Sequence, residues 1–171
     1  VAPLAPGAGT PTGTVTFTFG DGTTPATVPL TGGTATVTRP YTSRSSGLFT
    51  VTATYLGDTS FNGSSGTDPH TVNRALSTTT VVSSPDPSAP GQAVNVTATV
   101  TAVPPGAGTP TGSVTFVVGN RSPVSAPLVN GSATLSVTPP LSVGTHTITA
   151  TYTGSTDFNS SSGTDKHTVT A

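Results

Sequence analysis

The 171 residues predict an all-β chain of two tandem β-sandwiches, the first lacking its opening strands. Three observations carry this. The segment PGAGTPTGTVTF at Pro6 to Phe17 returns as PGAGTPTGSVTF at Pro105 to Phe116, so the chain is a tandem repeat. Apolar residues alternate with Thr and Ser at a period of two, which is the signature of half-buried strands. Gly and Pro fall between these runs, and no segment carries a helical period. The offset between copies is 99 positions at Phe17/Phe116, 98 at Leu30/Leu128 and 97 at Tyr55/Tyr152, so two one-residue deletions separate them. Such a period is too long for a solenoid unit and fits whole small domains. The expected boundaries are residues 1–74 and 75–171, joined around Asn73 to Ala75 by a short linker. Val1 corresponds to Val100, so nothing in the first copy matches Leu76 to Thr99, and with no Met in the chain the sequence reads as a piece of something longer.

The elements follow in order along the second, complete copy. Val81 or Val82 belongs to a first strand. Val94, Val96, Ala98 and Val100 oppose Asn95, Thr97, Thr99 and Thr101 in a second, and Val114, Phe116 and Val118 form one face of a third. Asn130-Gly131 lies between Leu128 and Ala133 and predicts a hairpin, because both residues tolerate positive φ. Ala133, Leu135 and Val137 make the next strand. In Thr145 to Tyr152, His146, Ile148, Ala150 and Tyr152 face one way and four Thr the other; Phe49, Val51, Ala53 and Tyr55 repeat this in the first copy. Val169 anchors the last strand. About seven short strands in roughly 97 residues have the size and spacing of an immunoglobulin-like β-sandwich.

Composition narrows the function classes. Five Lys or Arg and six Asp give a net charge of −1, with no Glu. The bases Arg39, Arg44, Arg74, Arg121 and Lys166 stand singly. That is no electrostatic footprint for nucleic acid or an anionic membrane surface. No stretch approaches the roughly 20 apolar residues that span a bilayer, so no membrane insertion is expected. The absence of Cys excludes disulfides, thiol nucleophiles and Cys-based zinc sites.

The motif order also resembles a known family. Pro110, Thr111, Gly112, Val114, Thr115 and Phe116 are followed by Leu128, Gly131, Ala133 and Thr134. Next come Gly144, Ala150, Thr151, Tyr152 and Gly154, and then Phe158, Asn159 and Ser161 before a closing His-Thr-Val. This set is similar to the bacterial Ig-like repeat domains found in tandem in secreted and surface proteins. The resemblance covers the second copy and about three quarters of the first. It implies an extracellular or cell-surface spacer, stalk or adhesin module, and names no ligand.

Several residues invite chemistry. Asp58, Asn62 and Asp68 in one copy, and Asp157, Asn159 and Asp165 in the other, are oxygen ligands of the type calcium prefers, placed in the loop after the Tyr strand. Asp58 aligns with Ser155 and Asp157 with Ser60, so ligand spacing is not kept, and a solvated turn is the simpler reading; no metal or cofactor is assigned. His70 and His167 lie beside Asp68 and Asp165 with Ser-rich runs upstream, but no nucleophile elbow is present, and a structural His at the start of an end strand is the expectation. No catalytic residue is assigned. A Lys-to-Asn cross-link has only Lys166 to draw on, with Pro69 in the other copy. Sequons at Asn62, Asn95, Asn120, Asn130 and Asn159 are expected by chance in so Thr/Ser-rich a chain, and Thr-rich outer faces follow from β propensity without an ice- or glycan-binding role. Tyr41 is the one aromatic expected outside, and thus the one handle for a glycan.

The sequence therefore predicts a non-enzymatic extracellular spacer that holds a distal adhesive or catalytic domain, with neighbouring Ig-like repeats as its partners. The alternative is a subunit of a filament or other assembly completed by β-strand donation between chains. It rests on the first copy, which without its opening strands should expose Val15, Phe17, Val37 and Val51 and an unpaired edge.

Overall fold

A computed structural model describes residues 1–41 and 46–171; Arg44 lies outside the described residues. The chain is all-β and resolves into two compact units, Val1–Asn73 and Arg74–Ala171. Every named strand pairing is antiparallel.

Unit 1 contains β1 (Thr14–Thr18), β2 (Ala26–Pro29), β3 (Gly47–Gly57) and β4 (Asn62–Val72), which form one sheet in the order β2-β1-β3-β4. Unit 2 contains β5 (Ser77–Ser84), β6 (Val94–Ala102), β7 (Ser113–Val118), β8 (Val124–Pro127), β9 (Ser132–Val137), β10 (Gly144–Tyr152) and β11 (Ser161–Val169). These make two sheets, β11-β10-β7-β8 and β5-β6-β9. The inward rows of β6, β7 and β10 meet in a core with Val96, Ala98, Val114, Phe116, Ile148 and Tyr152 at 0% exposure. The first strand resolves in favour of Val81, which is buried, while Val82 is 62% exposed. Asn130 at φ 50° and Gly131 at φ 78° form the expected tight turn, closed by the bond from Val129 N–H to the Ser132 carbonyl.

Unit 1 repeats the four-stranded sheet but not the three-stranded one. Its counterpart of β9, residues 34–40, takes no strand conformation because no β6 is present to pair with it. The segment still alternates: Ala35, Val37, Arg39 and Tyr41 are half-buried, and Thr36, Thr38 and Pro40 are exposed. It lies extended over the sheet, so the expected bare apolar face is corrected. Val15 is 3% exposed, and Phe17, Val37 and Val51 are half-buried, because this arm covers them. The cover is thin. Among the described residues of unit 1 only Pro11, Val15, Phe19, Gly33 and Tyr55 are buried.

Candidate functional site

In unit 2 the most concentrated chemistry is a polar seam where β5 closes against β11. Ser83 donates to the Asp165 carboxylate twice, through its backbone N–H at 2.9 Å and its hydroxyl at 2.6 Å. Thr79 Oγ1 lies 2.7 Å from Ser161 Oγ, and Ser77 Oγ lies 2.8 Å from the same atom. His167, at 0% exposure, sits between two hydroxyls, with Nδ1 3.0 Å from Ser83 Oγ and Nε2 2.9 Å from Ser88 Oγ. Because the Ser83 hydroxyl proton goes to Asp165, Ser83 Oγ accepts from Nδ1–H, which leaves Nε2 to accept from Ser88. The Asp86 carboxylate stands 3.5 Å from Nδ1 and accepts the Thr168 N–H at 2.9 Å.

Ser88, His167 and Asp86 thus have the composition of a hydrolytic triad, drawn from different Ser and Asp residues than the sequence suggested. The arrangement cannot work as one. Ser88 is 3% exposed and its Oγ faces the ring inside the seam, so an acyl group has no approach to it. The His is a clasp. It lies toward the end of β11 rather than at its start, which corrects the expected position. Sequence reasoning missed Ser83, Asp86 and Ser88, which are some 80 residues from His167 and signalled only by a Ser/Pro/Asp cluster.

The Asp and Asn residues weighed as oxygen ligands do not all lie in the loop where the sequence placed them. Asn62 opens β4 and Asp68 lies within it, while Asp165 lies within β11, so only Asp58, Asp157 and Asn159 belong to the turns. Asp58 caps its turn with both oxygens: Oδ1 accepts the Ser60 and Phe61 N–H groups at 2.7 and 2.8 Å, and Oδ2 accepts the Thr12 N–H and hydroxyl at 2.8 and 2.7 Å. Those bonds, the Thr12 N–H foremost, hold its carboxyl well below the usual carboxylate range. Ser155 plays this part in unit 2, receiving the Asp157 and Phe158 N–H groups. That is why the two copies do not keep a shared ligand set. Among the described residues no cluster of three or more His or Asp is placed to hold a metal. Lys166 is exposed on the outward face of β11, opposite in direction to Asp165, and the five sequon Asn residues are exposed.

Unit 1 has an open cleft of about 300 Å³ between the arm and the sheet, lined by Phe17, Phe19, Val51, Arg39, Tyr41 and His70 among others. The Arg39 guanidinium lies 4.6 Å from the centre of the Phe19 ring and pairs with Asp21 at 2.8 Å. Bonds from Thr23, chiefly its hydroxyl, together with Arg39 hold the Asp21 carboxyl below its ordinary value. Tyr41 is not the free surface ring that was expected. It stacks on His70 at 5.0 Å and Phe49 at 5.5 Å, because those rings offer the apolar surface left uncovered above β3 and β4. It is thus no ready platform for a sugar.

The profile of the bacterial Ig-like domain (group 3) family matches residues 1–73 and 80–170. Among solved structures, fibronectin(III)-like modules of Clostridium thermocellum CbhA align at 18% identity and a TM-score of 0.40, over 95% of this chain and 80% of that one. Comparison with curated proteins gives no significant match. With two matched segments that together span nearly all of its length, and the antiparallel sheets described above, the chain belongs to the bacterial Ig-like domain (group 3) family.

Proposed function

We propose that the chain is a non-enzymatic spacer of an extracellular or cell-surface protein, setting the distance between a surface and a distal adhesive or catalytic domain. One observation carries this reading: in unit 2 every hydroxyl, imidazole and carboxylate of the Ser/His/Asp cluster is engaged in closing the sandwich. A closed, low-charge bead with Thr on its outer faces resists nonspecific electrostatic capture and keeps its length. Single-molecule pulling tests it. Unit 2 should unfold in one step with a length gain matching its residues, and the chain should show no saturable binding to cell-wall polysaccharides. Saturable glycan binding that Tyr41→Ala abolishes would replace the spacer with a carbohydrate-binding module.

A second reading is favoured by the single sheet of unit 1: an assembly subunit whose first unit is completed by strands from another chain. Light scattering over a wide concentration range, with electron microscopy of the same samples, tests it. Dimers or filaments support the assembly, and a 16.7 kDa monomer at every concentration supports the passive spacer.

A further inference from the structure

Strands β5 and β11 are the first and last of unit 2, and they lie in different sheets. The inward row of β11 reads Ser161, Gly163, Asp165, His167, Val169, a row that β4 repeats type for type as Ser64, Gly66, Asp68, His70, Val72. Residues of β5 and β11 meet in ascending order: Ser77 and Thr79 with Ser161, Ser83 with Asp165, and then Ser88 with His167. The two strands therefore run parallel. Among the described residues no backbone ladder joins them. Single parallel bridges stand at the two ends, Ala75↔Phe158 and Ser88↔Val169, and side chains make the connection between. At one end Ala75 N–H donates to the Asp157 carbonyl at 2.8 Å, and Asn159 N–H to the Ala75 carbonyl at 2.9 Å. Because Ser77 donates to the Asn159 carbonyl, it accepts from Ser161, which in turn accepts from Thr79. At the other end Ser88 N–H donates to the Thr168 carbonyl and Thr170 N–H to the Ser88 carbonyl, both at 3.0 Å.

Tension on the chain draws Arg74 and Ala171 apart. These residues flank opposite ends of the seam, which are separated by about 30 Å for a nine-residue strand rising roughly 3.3 Å per residue. The pull thus runs along the seam, β5 one way and β11 the other. On their far sides both strands hang on backbone ladders, β5 on β6 over eight register pairs and β11 on β10 over nine. Load crosses from one sheet to the other through the core or through the seam. Apolar contacts are non-directional and let one sheet slide on the other, whereas a hydrogen bond stretched beyond about 3.5 Å is lost.

We propose that the β5–β11 seam is a shear clamp, the element that sets how much tension unit 2 bears before it unfolds. Its bonds lie side by side across the direction of pull, so they are loaded together and fail together. Gly163, set close beneath the Thr79 carbonyl, keeps the two backbones near enough for short hydroxyl side chains to reach. The sequence also denies the seam a second resting place. A slip of β5 by one pleat in the direction of pull replaces Ser83 with Pro85 opposite Asp165, and proline has neither N–H nor hydroxyl to offer. The clamp gives way once, without a ratchet. The inference rests on the spacer reading above, since a chain under tension is what the clamp serves, and deepens it by naming where the load is carried.

The test holds the full chain at constant tension between its two ends, with unit 2 recognised by a length gain larger than that of the shorter unit 1. Bonds broken at the point of rupture pass their whole stability into the unfolding rate, and those still intact pass little. Ser77→Ala and Ser83→Ala should each raise the rate by the full factor of their loss in urea stability, roughly tenfold for Ser83→Ala, whose hydroxyl serves both Asp165 and His167. Ile148→Val, in the core, should raise it by only a small part of its own factor. A full factor at Ser77 alone would mean peeling from one end, and a full factor at Ile148 with little at Ser83 would put the load in the core; either overturns the clamp. Direction supplies a measurement that needs no seam variant. The chain has no Cys, so Val82→Cys and Lys166→Cys, both exposed and pointing away from the seam, give handles for pulling the sheets apart across it. Tension between the chain ends should require the larger force, and an equal or smaller one overturns the proposal. The spacer reading falls on a different result, saturable polysaccharide binding, so the two failures are distinct.

Discussion

A methyl group added to Gly163 or to Gly66 should have opposite effects, although the two glycines occupy equivalent places in equivalent strands. Ala in a strand interior gains about 0.5–1 kcal/mol over Gly from the lower entropy of the unfolded chain. At Gly66 nothing opposes that gain, because the added Cβ meets no atom within 4 Å. At Gly163 the Cβ would sit 3.0 Å from the Thr79 carbonyl carbon and 3.3 Å from Val81 Cγ2, and closer still to the Thr79 oxygen. The obstacle is backbone, so β5 must retreat. Overpacking of this kind costs about 1–3 kcal/mol, and the retreat weakens the Ser83–Asp165 bonds, which as bonds to a charged group are worth about 1.5–3 kcal/mol. The net expectation is a loss of about 2–4 kcal/mol for Gly163→Ala and a gain of about 0.5 kcal/mol for Gly66→Ala. In a unit of this size each kcal/mol moves the midpoint by about 4–8 °C, so Gly163→Ala should lower the melting of unit 2 by about 8–32 °C. Thermal unfolding read at the His167 resonance for unit 2 and the His70 resonance for unit 1 separates the effects. Equal destabilisation at both positions would mean that β4 is covered as β11 is, and the contrast in their surroundings would fail.

Three further expectations follow from the same geometry. His167→Ala removes a fully buried ring and leaves the Ser83 and Ser88 hydroxyls facing a void, so unit 2 should lose about 3–5 kcal/mol in urea unfolding, while His70→Ala should cost unit 1 no more than the roughly 0.5–1.5 kcal/mol of its stack on Tyr41. Because the Asp58 carboxyl is held below its ordinary value of 3.8, its contribution is fully present above that pH and fades as pH falls below it. Unit 1 should therefore weaken on acidification below about pH 4, and Asp58→Asn should flatten that dependence; an unchanged slope in the variant would remove Asp58 from the account. Tyr41→Ala removes the stack on Phe49 and His70, worth about 0.5–1.5 kcal/mol, and should raise the binding of an apolar dye to unit 1. No change in dye fluorescence would show that the arm is held elsewhere.

The strands that were legible in the sequence are those whose inward row is apolar. Val94 to Val100, Val114 to Val118 and Thr145 to Tyr152 alternate oil and Thr, and they are the central strands of unit 2. The last strand was read as starting at His167 and anchored by Val169, with Ser161 to Lys166 taken as loop, because the inward row of β11 begins Ser161, Gly163, Asp165 and gives no hydrophobic period. The row is polar because its partner β5 is polar too, and that partner lies about 80 residues away. The short edge strands β2 and β8 escaped for a different reason. Each has four residues and one free edge, so neighbours rather than composition decide it. Tyr41 was misplaced because its burial depends on surface that opens only where a sheet is missing.

The polar seam reconciles a closed unit and an open one built from the same row. An apolar row on β4 would leave a sticky edge strand when uncovered, the arrangement that invites edge-to-edge aggregation. Ser64, Asp68 and His70 can instead be hydrated at little cost, and the same groups in β11 gain directional partners when β5 arrives. Such a seam adds less by burial than an apolar one would, since the net value of each neutral hydrogen bond is only about 0.5–1.5 kcal/mol. It adds register: Asp165 accepts from Ser83 and His167 fits between Ser83 and Ser88, whereas a slip of one residue would turn Val82 and Ser84 inward and leave a buried carboxylate without its donors. The apolar part of the open face is handled separately by the Ala35 to Tyr41 arm, whose Arg39 lies over Phe19 with its charge paired to Asp21.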